Sequence, residues 1–145
     1  MTTDELADTF ELLGDWEERY AYLIELGRKL PPLAAPERND QTLVRGCMSQ
    51  VWLVGGEQAD GRMHFNGDSD STLVKGLIAL LMVLVDGKSP EAILALDIAG
   101  TFKQLGLESH ITVNRRNGFY SMVERIRALS AAAAAGVESP RQMHD

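Results

Sequence analysis

Only one cysteine occurs among the 145 residues, so no intramolecular disulfide can staple this chain. Any thiol chemistry falls to Cys47 alone, or to Cys47 with a thiol of a partner, and the missing disulfides fit a reducing cytoplasm. Histidine is scarce as well. His64, His110 and His144 show none of the close pair spacings of a zinc site, and one thiolate is too few for a self-sufficient iron-sulfur scaffold. Basic residues number 14 against 21 acidic ones, a formal net charge of -7 that argues against neutralising the phosphates of a nucleic acid or an anionic membrane surface. The most apolar stretch, Leu73 to Val85, is interrupted by Lys75 and Gly76 and falls short of the ~20 residues that cross a bilayer, so it reads as a buried helix. The opening MTTDELADTF puts acids where a secretory signal has basic and then apolar residues, so a cytoplasmic location is expected. Aromatics make up 6%, and Trp16, Tyr20, Trp52, Phe65, Phe102 and Phe119 mostly fall on apolar faces, which assigns them to packing. The glycines around Gly55, Gly61 and Gly106 do not form the phosphate-cradling GxxxxGK[ST] arrangement.

What is present is enough apolar residue, 45%, for one ordinary core, which predicts a single domain over residues 1–135 with a polar, disordered tail over 136–145. Leu6, Phe10 and Leu13 suggest a short first helix. Trp16, Tyr20, Leu23, Ile24, Gly27 and Leu30 form one stripe of a second, with Asp15 and Glu18 resembling a capping box. The two helices should form a hairpin across Gly14, and the prolines from Pro31 to Pro36 end the pattern. Leu43 with Val44, and then Val51 to Val54, read as strands. A turn over Gly55 to Gly61 leads to Arg62–Asn66, where Met63 and Phe65 should share a buried face and His64 the opposite one. Asp68 to Ser71 offers several N-caps for the apolar helix through Val85. Ser89 before Pro90 starts another helix, and Gly106 marks a stop. Phe119, Met122, Val123, Ile126 and Leu129 define the inner face of a last helix that the alanine run extends.

Cys47 lies in RGCMSQVW, where a loop enters a strand. The thiolate is the reactive form of cysteine, and a neighbouring cation such as Arg45 favours it, while Gly46 opens backbone conformations closed to other residues. On the local pattern alone, a lone cysteine is more often a small, buried, unreactive residue. A hydrolase pairing Cys47 with His64 or His110 is a further reading that spacing leaves unconstrained.

Four stretches narrow these alternatives: WEERYAYLIELGRKLPPL (residues 16–33), RGCMSQVWLV (45–54), GDSDSTLVKGLIALL (67–81) and, more loosely, LESHITVNRRNGFYSMVERI (107–126). Together they resemble the SufE family of sulfur acceptors, including its CsdE-type members. That resemblance implies an α+β fold, a small antiparallel β-sheet packed with helices, similar to the fold of iron-sulfur scaffold proteins of the IscU type. It implies that Cys47 takes a persulfide from a SufS- or CsdA-like cysteine desulfurase, stimulates its turnover, and passes the sulfur to an iron-sulfur scaffold or another acceptor. The chain itself would need no cofactor, because the pyridoxal phosphate belongs to the desulfurase. Asp70 and Arg115, and more weakly Gln50, are the supporting or docking candidates that follow from the resemblance, beside Arg45 from the local pattern, with helix capping the plainer role for Asp70 and a solvated charge for Arg115. Met48 stands where many members have glutamine, which bears on partner preference. The sequence leaves open SufE against CsdE subtype and formation of a homodimer. The main rival is a module that regulates a desulfurase without holding sulfur; a redox-sensing thiol is a second.

Overall fold

The computed structural model describes residues 2–46 and 49–136. Cys47, Met48 and all of the expected tail beyond Gly136 lie outside the described residues. Helices α1 (Thr3–Leu12) and α2 (Trp16–Arg28) flank Gly14, where a hairpin is expected, and the Phe10 ring meets those of Trp16 and Tyr22 edge to face. Asp15 Oδ1 accepts the Glu18 N–H at 2.8 Å, half of the expected capping box. The reciprocal box forms instead at α1, where Thr2 and Glu5 satisfy each other's backbone N–H groups. Arg19 ties α2 to the end of α1 by donating Nε–H to the carbonyls of Phe10 (2.8 Å) and Leu13 (3.0 Å), which the end of α1 leaves without helical partners.

The sheet is a two-stranded antiparallel hairpin of β1 (Val51–Glu57) and β2 (Met63–Ser69), registered Val51 to Ser69 at one end and Glu57 to Met63 at the other. Met63 and Phe65 are buried and His64 is half-buried, as the alternation predicts. Leu43 and Val44 were expected in a strand, but Leu43 makes only an isolated bridge to Trp52. The reason is local: Asn39 Oδ1 accepts the N–H groups of Gln41 (2.8 Å) and Thr42 (3.1 Å), and Thr42 Oγ1 donates to the Glu37 carbonyl at 2.6 Å, which curls the backbone just before a ladder could start.

Helix α3 (Thr72–Val85), capped by Ser71, is buried along nearly its whole length between the sheet and α2. Two glycines allow the close crossing of α2 and α3. A Cβ at Gly27 would lie 2.7 Å from the Gly76 nitrogen, and one at Gly76 would lie 2.5 Å from the Leu23 carbonyl oxygen. Ser89 caps α4 (Pro90–Ala95), Asp97 caps α5 (Ile98–Gln104), and Gly106 reverses the chain with φ of 81°. The long α6 (Val113–Ala134) inserts Phe119, Met122, Val123 and Ile126 into the same core and packs on α4 and β1. The fold is therefore α+β, with one sheet face and the inner stripes of α2, α3 and α6 enclosing a continuous apolar centre. None of the described helices is long and apolar enough to cross a membrane.

Candidate functional site

The approach to Cys47 is fixed by a closed stem. The Val44 N–H donates to the Val51 carbonyl at 2.8 Å and the Leu53 N–H to the Thr42 carbonyl at 2.9 Å, so residues 45–50 leave and re-enter the fold at nearly one point. Gly46 adopts φ of 89°, where a side chain is strained, and a Cβ there would lie 2.9 Å from Ser121 Oγ on α6. The glycine thus turns the chain and lets it approach α6 closely. Cys47 itself lies outside the described residues.

Each leg of the loop has its own anchor. Upstream, the guanidinium of Arg125 donates Nη1–H to the Gln41 carbonyl at 3.2 Å and Nη2–H to the Leu43 carbonyl at 3.1 Å. Downstream, Asp70 Oδ1 accepts the Gln50 N–H at 3.1 Å, and the Asp70 N–H donates to the Gln50 carbonyl at 3.3 Å. Asp70 is therefore not the helix cap, a role that Ser71 takes by accepting the Val74 N–H. Arg45 is exposed on the stem.

Beside the loop lies a pocket of about 280 Å³. Val51, Val74, Leu77, Phe119 and Met122 supply apolar walls, Ser49 joins it to the loop, and Arg115 with Thr112 brings the first turn of α6 to its edge. Apolar walls exclude water, while the Arg115 cation and the positive end of α6 favour a negative charge at the rim. That combination suits a sulfur nucleophile, which needs to be anionic to react and shielded to avoid oxidation.

Behind the sheet end of the loop, the buried Asp68 is flanked by Arg38, which it pairs directly, and by Lys75 at 3.5 Å. Burial opposes ionisation of Asp68, but the Ser69 N–H, Lys75 and Arg38 outweigh it and hold the carboxyl below its usual range. Arg38 also lies over the Trp52 ring, 5.5 Å from its centroid. This cluster ties the Pro-rich connection to the strand that follows Cys47.

Of the residues singled out from sequence, Gln50 and Asp70 meet directly, Arg115 and the loop residue Ser49 share the pocket, and Arg45 stands on the stem. The histidines are placed elsewhere. His64 sits opposite Gly56 toward the far end of the hairpin, engaged by Asp60 at 3.1 Å and Asp86 at 3.6 Å. His110 stacks on Trp16 with ring centroids 3.9 Å apart. His144 lies outside the described residues. No three His, Asp or Glu side chains converge as a metal-binding set among the described residues. Sequence reading passed over Arg125, Ser121, Arg38 and Lys75 as parts of the site. Only Lys75 carried a signal, as a lone cation in an apolar helix that needs a counter-charge.

The segment 45–50, which holds the lone cysteine in sequence, leaves and re-enters an α+β fold at a closed stem beside a pocket with apolar walls and Arg115 at its edge. The family described as SufE, the Fe-S metabolism associated domain, matches residues 4–130, and the chain belongs to this family, which is associated with iron-sulfur metabolism. It is similar to an uncharacterized SufE-like protein of Rhizobium etli, 44% identical over 135 residues that cover 91% of each chain. Among solved structures, it matches the solution structure of a hypothetical protein from Thermus thermophilus with a TM-score of 0.74 at 24% identity, covering 93% of this chain and 99% of that one. The latter likeness is one of fold.

Proposed function

We propose that the protein is a sulfur carrier whose Cys47 accepts sulfane sulfur from a pyridoxal-phosphate-dependent cysteine desulfurase and hands it to iron-sulfur cluster assembly or a related sulfur-transfer route. The observation that carries this reading is the closed loop of residues 45–50 standing beside an apolar pocket rimmed by Arg115. In the transfer, the Cys47 thiolate attacks the terminal sulfur of the donor persulfide. A new S–S bond forms at Cys47, the donor's S–S bond breaks, and the donor cysteine departs as a thiolate that takes up the proton Cys47 released. No external oxidant or reductant is consumed. Removing the persulfide frees the desulfurase for another cycle, so the protein acts as its activator while holding no cofactor of its own. The loaded sulfur is prone to oxidation, which the pocket's apolar walls and a reducing cytoplasm both counter.

The test is the intact mass of the protein after incubation with its host's cysteine desulfurase and free cysteine, with and without reductant. The expected result is a reductant-sensitive gain of one sulfur atom that maps to Cys47 and is absent in Cys47→Ser. No gain of sulfur, with desulfurase turnover still rising in the presence of Cys47→Ser, would replace the carrier by a non-covalent regulatory module.

A further inference from the structure

We propose that Arg125 is a positioning residue for Cys47, acting by bracing the upstream leg of the loop from α6; its link to sulfur uptake rests on the carrier reading above. The guanidinium reaches across 82 and 84 positions of sequence to donate to the carbonyls of Leu43 (3.1 Å) and Gln41 (3.2 Å). These carbonyls alternate with the groups that close the stem: Thr42 C=O accepts from Leu53, and Val44 N–H donates to Val51. One planar fork therefore fixes both sides of a single peptide register, a task for which five donors in rigid geometry suit arginine better than lysine.

The same helix supplies the other half of the geometry. One face of α6 carries Arg115, Gly118, Phe119 and Met122 into the pocket wall, Ser121 meets Gly46, and Arg125 follows one turn later, so wall and stem are held by one rigid rod. Bracing the stem from the helix that also lines the pocket keeps the described flanks of the cysteine, Val44 and Ser49, fixed relative to that wall, and such constancy favours the rate of a displacement more than the strength of docking. Arg125 is half-buried and caps no helix, and both of its described hydrogen bonds go to main-chain carbonyls outside α6. The arrangement assigns it to the loop rather than to α6 itself.

Two readouts test the proposal on Arg125→Gln and Arg125→Lys in the full chain. The first is amide hydrogen exchange. The Val44 and Leu53 amides should exchange at least about fivefold faster in Arg125→Gln, with amides of α3 unchanged, and Arg125→Lys should recover part of the protection. The second is single-turnover sulfur loading from the desulfurase persulfide. The rate at saturating desulfurase should fall about three- to tenfold while the half-saturating concentration stays constant, again with partial recovery in Arg125→Lys. Unchanged exchange at Val44 and Leu53, or slower loading that tracks a uniform loss of protection across the core, would overturn the proposal. If the unsubstituted protein takes up no sulfur, the carrier reading fails by itself, and the exchange result alone decides whether Arg125 braces the loop.

Discussion

The backbone of Gln50 and Asp70 forms a reciprocal clasp: Gln50 donates its N–H to the Asp70 carboxylate at 3.1 Å, and Asp70 returns its own N–H to the Gln50 carbonyl at 3.3 Å. The clasp extends the β1–β2 pairing by one step beyond Val51 and Ser69, using a side chain where the ladder has run out. It fixes the leg of the cysteine loop opposite the one that Arg125 holds.

Removing the carboxylate should open that leg. Asp70→Ala is expected to speed hydrogen exchange at the Gln50 amide and to lower stability by about 1 kcal/mol, the ordinary net worth of one hydrogen bond. Asp70→Asn keeps an acceptor oxygen and should stay close to the parent in both. Exchange followed by NMR, with urea unfolding alongside, checks the pair; equal exchange in Asp70→Ala and parent would show that the carboxylate does not hold this leg.

The crossing of α2 and α3 makes a second prediction. A methyl group at Gly76 would meet the Leu23 carbonyl at 2.5 Å, a backbone atom that cannot swing aside. Gly76→Ala should therefore separate the helices and cost about 1–3 kcal/mol or more despite the better helix propensity of alanine. Thermal unfolding reads this directly, and a Tm at or above the parent's would show that the helices tolerate the added bulk.

Acid stability should depend on Asp68. Its carboxyl titrates lower in the fold than in the unfolded chain, so it contributes stability above an unfolded pKa of about 4 and loses that contribution as pH falls through its depressed folded value. The stability gap between parent and Asp68→Asn should be constant above about pH 5 and narrow in stronger acid. Urea unfolding across that range measures it; a gap independent of pH would mean that Arg38 and Lys75 do not hold the charge.

His64 has the opposite sign. The hydrogen bond that the His64 ring donates to the Asp60 carboxylate comes first among the influences that raise its pKa; desolvation opposes it, and the charges of Asp60 and Asp86 add to the rise. Its contribution is present below about pH 6.5 and disappears as pH rises through the raised folded value. An NMR titration of the ring should give a midpoint above about 6.5 that moves down in Asp60→Asn. Because the His64 and Asp60 side chains are 41% and 51% exposed, solvent screening should keep the accompanying change in stability slight.

Much of the frame was legible from local pattern. The stripes of α2 and α6, the Ser89–Pro90 start, the stop at Gly106 and the alternation of Met63, His64 and Phe65 all follow from periodicities of about 3.6 and 2 or from capping chemistry that acts within about four residues. The strand expected at Leu43 and Val44 did not form as such, because side chains at Asn39 and Thr42 bind the backbone first, and β-branched content says nothing about that competition. At the site, Gly46 and Asp70 could be singled out, yet the role of Asp70 changed from cap to clasp once Ser71 took the helix end.

By itself the sequence determined that one thiol, preceded by arginine and glycine, sits where a loop enters a strand, and that an apolar helix and a later periodic helix follow the strands along the chain. Tertiary structure alone decided what holds that loop. Arg125 and Asp70 act on main-chain carbonyls and N–H groups, and every residue of the chain other than proline offers the same pair, so no residue type marks the recipient. Only when α6 is laid against β1 do Gln41 and Leu43 come within reach of a side chain more than eighty positions away.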